Sequence, residues 1–291
     1  MDKNLIQRLI SGLVYGLVIF FCTTPFGAKA ISAVAPFYIP QHYLYFGLIT
    51  FFMIVGLYEC ARIVKFKKII WALAVVPLAA FIYYRFAYKY FHLYFYYNAD
   101  LTELFGILLM LMAIVILFRF RQELSFDSGK LIFTVVYVTF PFGYALGLPD
   151  FNPFAPSEFS WEVFMLFALI WSSDSFAYFA GRMFGKHKMA PTISPKKTWE
   201  GFAGGVICTV ILGAVIQAYG PEMKGNWMIV GLLVAVFAPL GDLVESQLKR
   251  TFNVKDSGNI IPGHGGVLDR LDSFILCAPV MYIYFMLEKL I

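Results

Sequence analysis

The chain has 291 residues, of which 60% are hydrophobic, 19% aromatic and 14% charged, and its mean hydropathy is +0.73. Water-soluble domains carry about a quarter charged residues, so that class is excluded and a polytopic integral membrane protein is expected. The formal net charge of +5 does not call for a nucleic-acid partner, because membrane topology accounts for where the basic residues lie.

Apolar runs of about 20 residues, the length a bilayer requires, lie near 9–27, 44–61, 69–84, 101–118, 131–148, 161–181, 201–219, 227–245 and 271–289. The expected fold is therefore all-α, with about nine transmembrane helices in a single integral membrane domain over 1–291. Residues 1–150 supply the N-terminal spans, and 160–291 the spans and cytoplasmic loops that carry the chemistry. With the N-terminus inside, every Lys and Arg except Lys29, Arg85, Lys89, Lys224 and Lys289 falls in an inside segment. That is the distribution the positive-inside rule requires. The first span also reads as a signal peptide ending at Ala28-Lys29-Ala30; retention as an uncleaved anchor is expected.

Spans one to five carry few interior polar groups. Glu59 and Arg62, three apart at the end of span two, read as a local interfacial pair. The aromatic stretch 85–98 reads as a membrane-surface anchor on the outer face. Cys22, Cys60, Cys208 and Cys277 all sit in apolar segments without a CxxC or Cys/His cluster, which suggests neither zinc nor disulfides.

Polarity rises from residue 160. Asp174 lies inside span six, where a carboxylate costs about 2.5–3.5 kcal/mol on insertion scales and must face protein, water or an ion. Ser173, Ala177, Gly181 and Gly185 recur at intervals of four, and span seven repeats the device with Gly201, Gly205, Thr209 and Gly213. Such small-residue faces let two helices pack closely, and allow a homodimer.

Between those spans, Ser194-Pro195 reads as a helix start, with Ser as N-cap and Pro at the first helical position. Lys196 and Lys197 then fall in the first turn, where free amides and two cations make a phosphate cradle; alternatively they only mark the inside face. Asp242, Glu245, Ser246 and Lys249 form one stripe on span eight. Asp269, Arg270 and Asp272 arrive from span nine. Hard oxygen ligands grouped beside cations suit Mg²⁺, although plain salt bridges would use the same residues. His264, in Pro262-Gly263-His264-Gly265-Gly266, reads by itself as a turn histidine. A Walker A loop, a G-x-G-x-x-G and an H-E-x-x-H are all absent. Buried carboxylates also mark ion pathways, but a transporter predicts repeats and broken helices in both halves, whereas these polar residues are confined to the second.

The run from Ser246 to Asp272, S-x-x-K-R-x4-K-D-x5-P-G-H-G-G-x-x-D-R-x-D, resembles the signature of the phosphatidate cytidylyltransferase (CDP-diacylglycerol synthase) family. The stretch Asp174–Gly205, with S-P-K-K-T-x-E-G at 194–201, is similar to that family too. The resemblance implies a Mg²⁺-dependent nucleotidyltransferase of phospholipid biosynthesis, converting CTP and phosphatidic acid to CDP-diacylglycerol and pyrophosphate in the bacterial plasma (inner) membrane. It implies Asp242 and Asp269 as principal metal ligands, with Asp272 and Asp174 supporting them. Ser194, Lys196, Lys197, Thr198, Glu200 and Ser246 would bind CTP. Lys249, Arg250, Lys255 and Arg270 would hold the lipid phosphate and leaving pyrophosphate alongside Asp256, and His264 would orient a phosphate or assist proton transfer.

Overall fold

The computed structural model describes residues 3–92, 101–149, 159–263 and 265–288. Among these, the chain forms ten α-helices and one short hairpin: α1 (Lys3–Thr23), α2 (Phe26–Val34), α3 (Gln41–Val64), α4 (Ile69–His92), α5 (Leu101–Arg119), α6 (Asp127–Ala145), α7 (Glu162–Phe184), β1 (Lys188–Ala190), β2 (Ser194–Thr198), α8 (Trp199–Tyr219), α9 (Trp227–Thr251) and α10 (Leu268–Glu288). Eight of the described helices, all but α2 and α6, are long and apolar enough to cross a membrane. Their outer faces carry large exposed apolar side chains, such as Leu13, Phe81, Leu108 and Ile207, a surface that suits lipid and not water.

The remaining expected span, 131–148, is α6, and it differs in kind. It brings Asp127, Lys130, Thr134, Tyr137, Thr139 and Tyr144 into a helix whose residues from Phe133 to Ala145 are all buried. It packs against α3, α4, α5 and α10, so its polar groups meet protein instead of lipid. Its polar start also ties neighbouring helices together. Asp127 accepts hydrogen bonds from Lys67 N and Lys68 N at 2.9 and 2.8 Å, and Lys130 Nζ donates to Lys65 O at 2.7 Å. These bonds fasten the α3–α4 turn, where Lys65 closes α3 in the left-handed conformation (φ 52°).

The second half of the bundle is built on close contact. α8 packs against both α7 and α9, and the small residues expected to pair do so. A Cβ on Gly201 would stand 2.7 Å from Ala177 O and 3.0 Å from Gly181 Cα, so no side chain fits there. Without a hydrophobic drive between helices in lipid, such backbone proximity supplies the van der Waals attraction that holds them.

One local expectation is overturned. Ser194-Pro195 does not start a helix: residues 194–198 form β2, paired antiparallel with β1 through Lys188↔Thr198 and Ala190↔Ser194. The N-cap is Thr198, whose Oγ1 accepts from Gly201 N at 3.2 Å. Pro195 is tolerated because a two-stranded ribbon leaves each strand an edge that needs no N–H donor. Lys196 and Lys197 therefore precede α8 instead of lying in its first turn.

Candidate active site

A cavity of about 440 Å³ opens between α1, α7, α9 and α10. Asp174 from α7, Asp242 from α9, and Asp269, Arg270, Asp272 and Ser273 from α10 line it, with Ser11, Gly12, Tyr15 and Gly16 of α1 on the facing wall. Tyr15 fixes that wall by donating to Arg270 O at 3.4 Å and packing its ring 6.1 Å from that of Trp171. Asp174 and Asp272 both feel the charge of Asp242, and Asp272 feels that of Asp174 as well. Carboxylates that share one cavity repel unless a proton or a cation sits among them.

The α9 stripe forms as its spacing predicts. Ser246 Oγ donates to Asp242 Oδ1 at 3.1 Å, and Lys197 reaches across from β2 to Asp242 Oδ2 at 2.8 Å while donating to Pro239 O at 2.9 Å. Lower on the stripe, Lys249 pairs with Glu245 and also with Asp269 Oδ1 at 2.6 Å. Glu245 is fully buried and Lys249 only 12% exposed at its side chain, so this is an interior ion triad and not a surface bridge.

Asp269 Oδ2 accepts from Ser257 N at 2.9 Å and Gly266 N at 2.8 Å. These bonds close the loop that joins α9 to α10, which turns through Gly263 (φ 75°) and Gly265 (φ 87°) and is bridged by Ile261 N to Gly265 O at 2.9 Å. His264 lies outside the described residues.

Glu59 takes a role other than the expected interfacial pair. It does not pair with Arg62, whose guanidinium lies over the Tyr58 ring at 5.6 Å. Fully buried on α3, Glu59 instead accepts from Ser257 Oγ at 3.0 Å, Val267 N at 3.0 Å and Leu268 N at 2.8 Å. The available signal was its position: a carboxylate at the end of an apolar run needs a partner, and a local arginine looked sufficient.

The other expected residues separate into two groups. Thr198 and Glu200 serve the hairpin: Thr198 is buried as the α8 cap, and Glu200 accepts from Lys186 N at 3.0 Å and His187 N at 3.1 Å and pairs with His187 Nδ1 at 2.6 Å. Ser194 is half-buried in the ribbon, and Lys196 is exposed. Arg250, Lys255 and Asp256 are exposed as well, and lie outside the cavity wall. The participation of α1 carried no sequence signal, since Ser11, Gly12 and Gly16 bear no distinctive chemistry.

The model of the cytidylyltransferase family matches residues 7–287. This chain belongs to that family. Among relatives, it is 41% identical over 182 residues to a phosphatidate cytidylyltransferase of Bacillus subtilis, covering 62% of this chain and 65% of that protein. It is 40% identical over 166 residues to one from Staphylococcus epidermidis, covering 56% and 61%. A third, from Staphylococcus haemolyticus, is 39% identical over 188 residues, covering 64% and 69%. The chain thus spans slightly less than two thirds of the first two relatives it matches.

Proposed function

We propose that this family member transfers the cytidylyl group of CTP to phosphatidate at the cytoplasmic face of a bacterial plasma membrane, releasing pyrophosphate and forming CDP-diacylglycerol for phospholipid synthesis. The observation that carries the reading is the single cavity in which Asp174, Asp242, Asp269 and Asp272 meet Arg270. The names of the relatives and the basic residues flanking that end of the bundle support it.

The donor set fits Mg²⁺. It is all hard oxygen, and several carboxylates lining one cavity suit a divalent cation. Among the described residues no three side chains close into a ready-made metal cage. The protein would therefore supply part of the ligand sphere and the substrate phosphates and water the rest, the usual arrangement for this ion. Asp242, Asp272 and Asp174 would hold it, with Asp269 on the same wall; when bound it would neutralise charge on the reacting phosphates.

In the reaction, an oxygen of the lipid phosphate bonds to the α-phosphorus of CTP while the bond to the β-phosphate oxygen breaks. Phosphatidate already carries an ionised oxygen near neutral pH, so no strong general base is required. The protein's task is to position two polyanions and offset their repulsion. Arg270 offers a planar fork of donors at the cavity wall, suited to a phosphate. Lys197 places a cation beside Asp242, toward the hairpin side from which nucleotide would enter. Arg250 and Lys255, exposed to solvent, attract CTP and release pyrophosphate.

Purified protein incubated with Mg²⁺, phosphatidate and CTP labelled at either the α or the γ phosphate tests the reaction. Label from α should enter lipid and label from γ should leave in pyrophosphate; γ label in lipid would instead make the protein a CTP-dependent lipid kinase. Lys197→Ala is expected to raise the KM for CTP by about tenfold, while the KM for phosphatidate moves little. An unchanged CTP dependence in initial-rate measurements would remove Lys197 from the nucleotide site.

A further inference from the structure

The first amides of a helix have no partner within it and must be satisfied from outside. At the entry to α10 the two amides just before the helix and its first two all have side-chain acceptors. Gly266 N donates to Asp269 Oδ2, Val267 N and Leu268 N to the two oxygens of Glu59, and Asp269 N to Ser257 Oγ at 3.3 Å. Ser257 Oγ itself donates to Glu59 Oε2. One side chain on α3, 198 to 209 residues distant along the chain, therefore sits at the centre of the network that aims Asp269.

The fit around it is close. A Cβ on Gly266 would stand 2.6 Å from both Glu59 oxygens and 2.1 Å from Ser257 Oγ, and one on Gly258 would stand 2.5 Å from Glu59 Oε1. The loop thus wraps the carboxylate on two sides, using glycines where any other residue would push it away.

We infer that Glu59 is a positioning residue: by binding Ser257 and the first turn of α10 it holds Asp269 and Arg270 in register with Asp242 and Lys249. It touches neither the cavity nor, on this reading, any substrate. The inference rests on the reaction proposed above only where turnover is the readout. The charge matters because all three groups facing Glu59 are donors. A glutamine keeps one acceptor oxygen but turns an N–H₂ toward donors, whereas an alanine leaves all three donors unpaired in a buried place.

The test uses the full chain in lipid nanodiscs, comparing wild type with Glu59→Ala, Glu59→Gln and Met53→Ala, the last removing a buried α3 side chain away from the loop. Amide hydrogen exchange should quicken by roughly tenfold or more in peptides covering 255–258 and 265–270 of Glu59→Ala, with peptides from α4 and α6 unchanged. In the same variant kcat should fall by roughly 30-fold or more, with both KM values within about threefold of wild type. Glu59→Gln should fall between the two, and Met53→Ala should show neither effect. Exchange that stays at the wild-type rate, or that rises uniformly through the bundle, would overturn the inference, as would an equal kcat loss in Met53→Ala. If wild type transfers no cytidylyl group, the proposed reaction fails, and the exchange pattern alone decides the role of Glu59.

Discussion

Replacing Asp269 by asparagine is expected to lower cytidylyl transfer by about 100-fold or more, equivalent to roughly 2.7 kcal/mol of transition-state stabilisation. Three partners depend on its two oxygens: Lys249 on one, and the amides of Ser257 and Gly266 on the other. An asparagine must present its N–H₂ either to the ammonium of Lys249 or to two N–H donors, and each choice breaks part of the network. It also removes one negative charge from the wall facing the proposed cation. Incorporation of α-labelled CTP into lipid, measured on equal amounts of membrane-inserted protein, checks this. A near-normal rate would remove Asp269 from the site.

The second large effect is on stability. Lys249→Ala should lower it by about 3–5 kcal/mol, because Glu245 and Asp269 would be left as buried charges without their shared cation. For a chain of this size that is a drop in melting temperature on the order of 10 °C. Adding Glu245→Gln should recover most of it, since the fully buried carboxylate is the costlier of the two to strand. Thermal unfolding in detergent separates this from a role confined to substrate phosphates, which would leave the melting temperature unchanged while activity fell. The enclosure of Lys249 between two acids favours the structural result.

The reasons why parts of this were readable from sequence are physical. Bilayer thickness imposes a length on each span and charge marks its ends, so most helices, α6 included, were legible to within a few residues; α4 and α9 continue past their expected ends into polar sequence, and the short α2 was not foreseen. Asp174, Asp242, Asp269 and Asp272 stood out because carboxylates are rare in such surroundings and their spacing put them on converging helix ends. Where the reading failed, a local rule competed with a distant contact. Ser194-Pro195 and Thr198 both satisfy the chemistry of a helix start; what selects Thr198 is the pairing of β2 with Lys188–Ala190, which capping rules do not contain. Glu59 had a plausible partner three residues away and found its real ones beyond residue 256.

The enclosure of α6 has a consequence for how the protein is made. The insertion machinery releases a helix into lipid according to its apolarity, and α6, with its threonines, tyrosines and charged start, is poorly suited to being released alone. α3, α4 and α5 precede it and are available to receive it, but α10, which covers its remaining side, begins only at Leu268, long after α6 ends at Ala145. At about 5–20 residues per second, the ribosome needs on the order of ten seconds to reach it. Throughout that interval α6 lacks the cover of α10, so the packing around it, and with it the site on α10, can close only after α10 has been made.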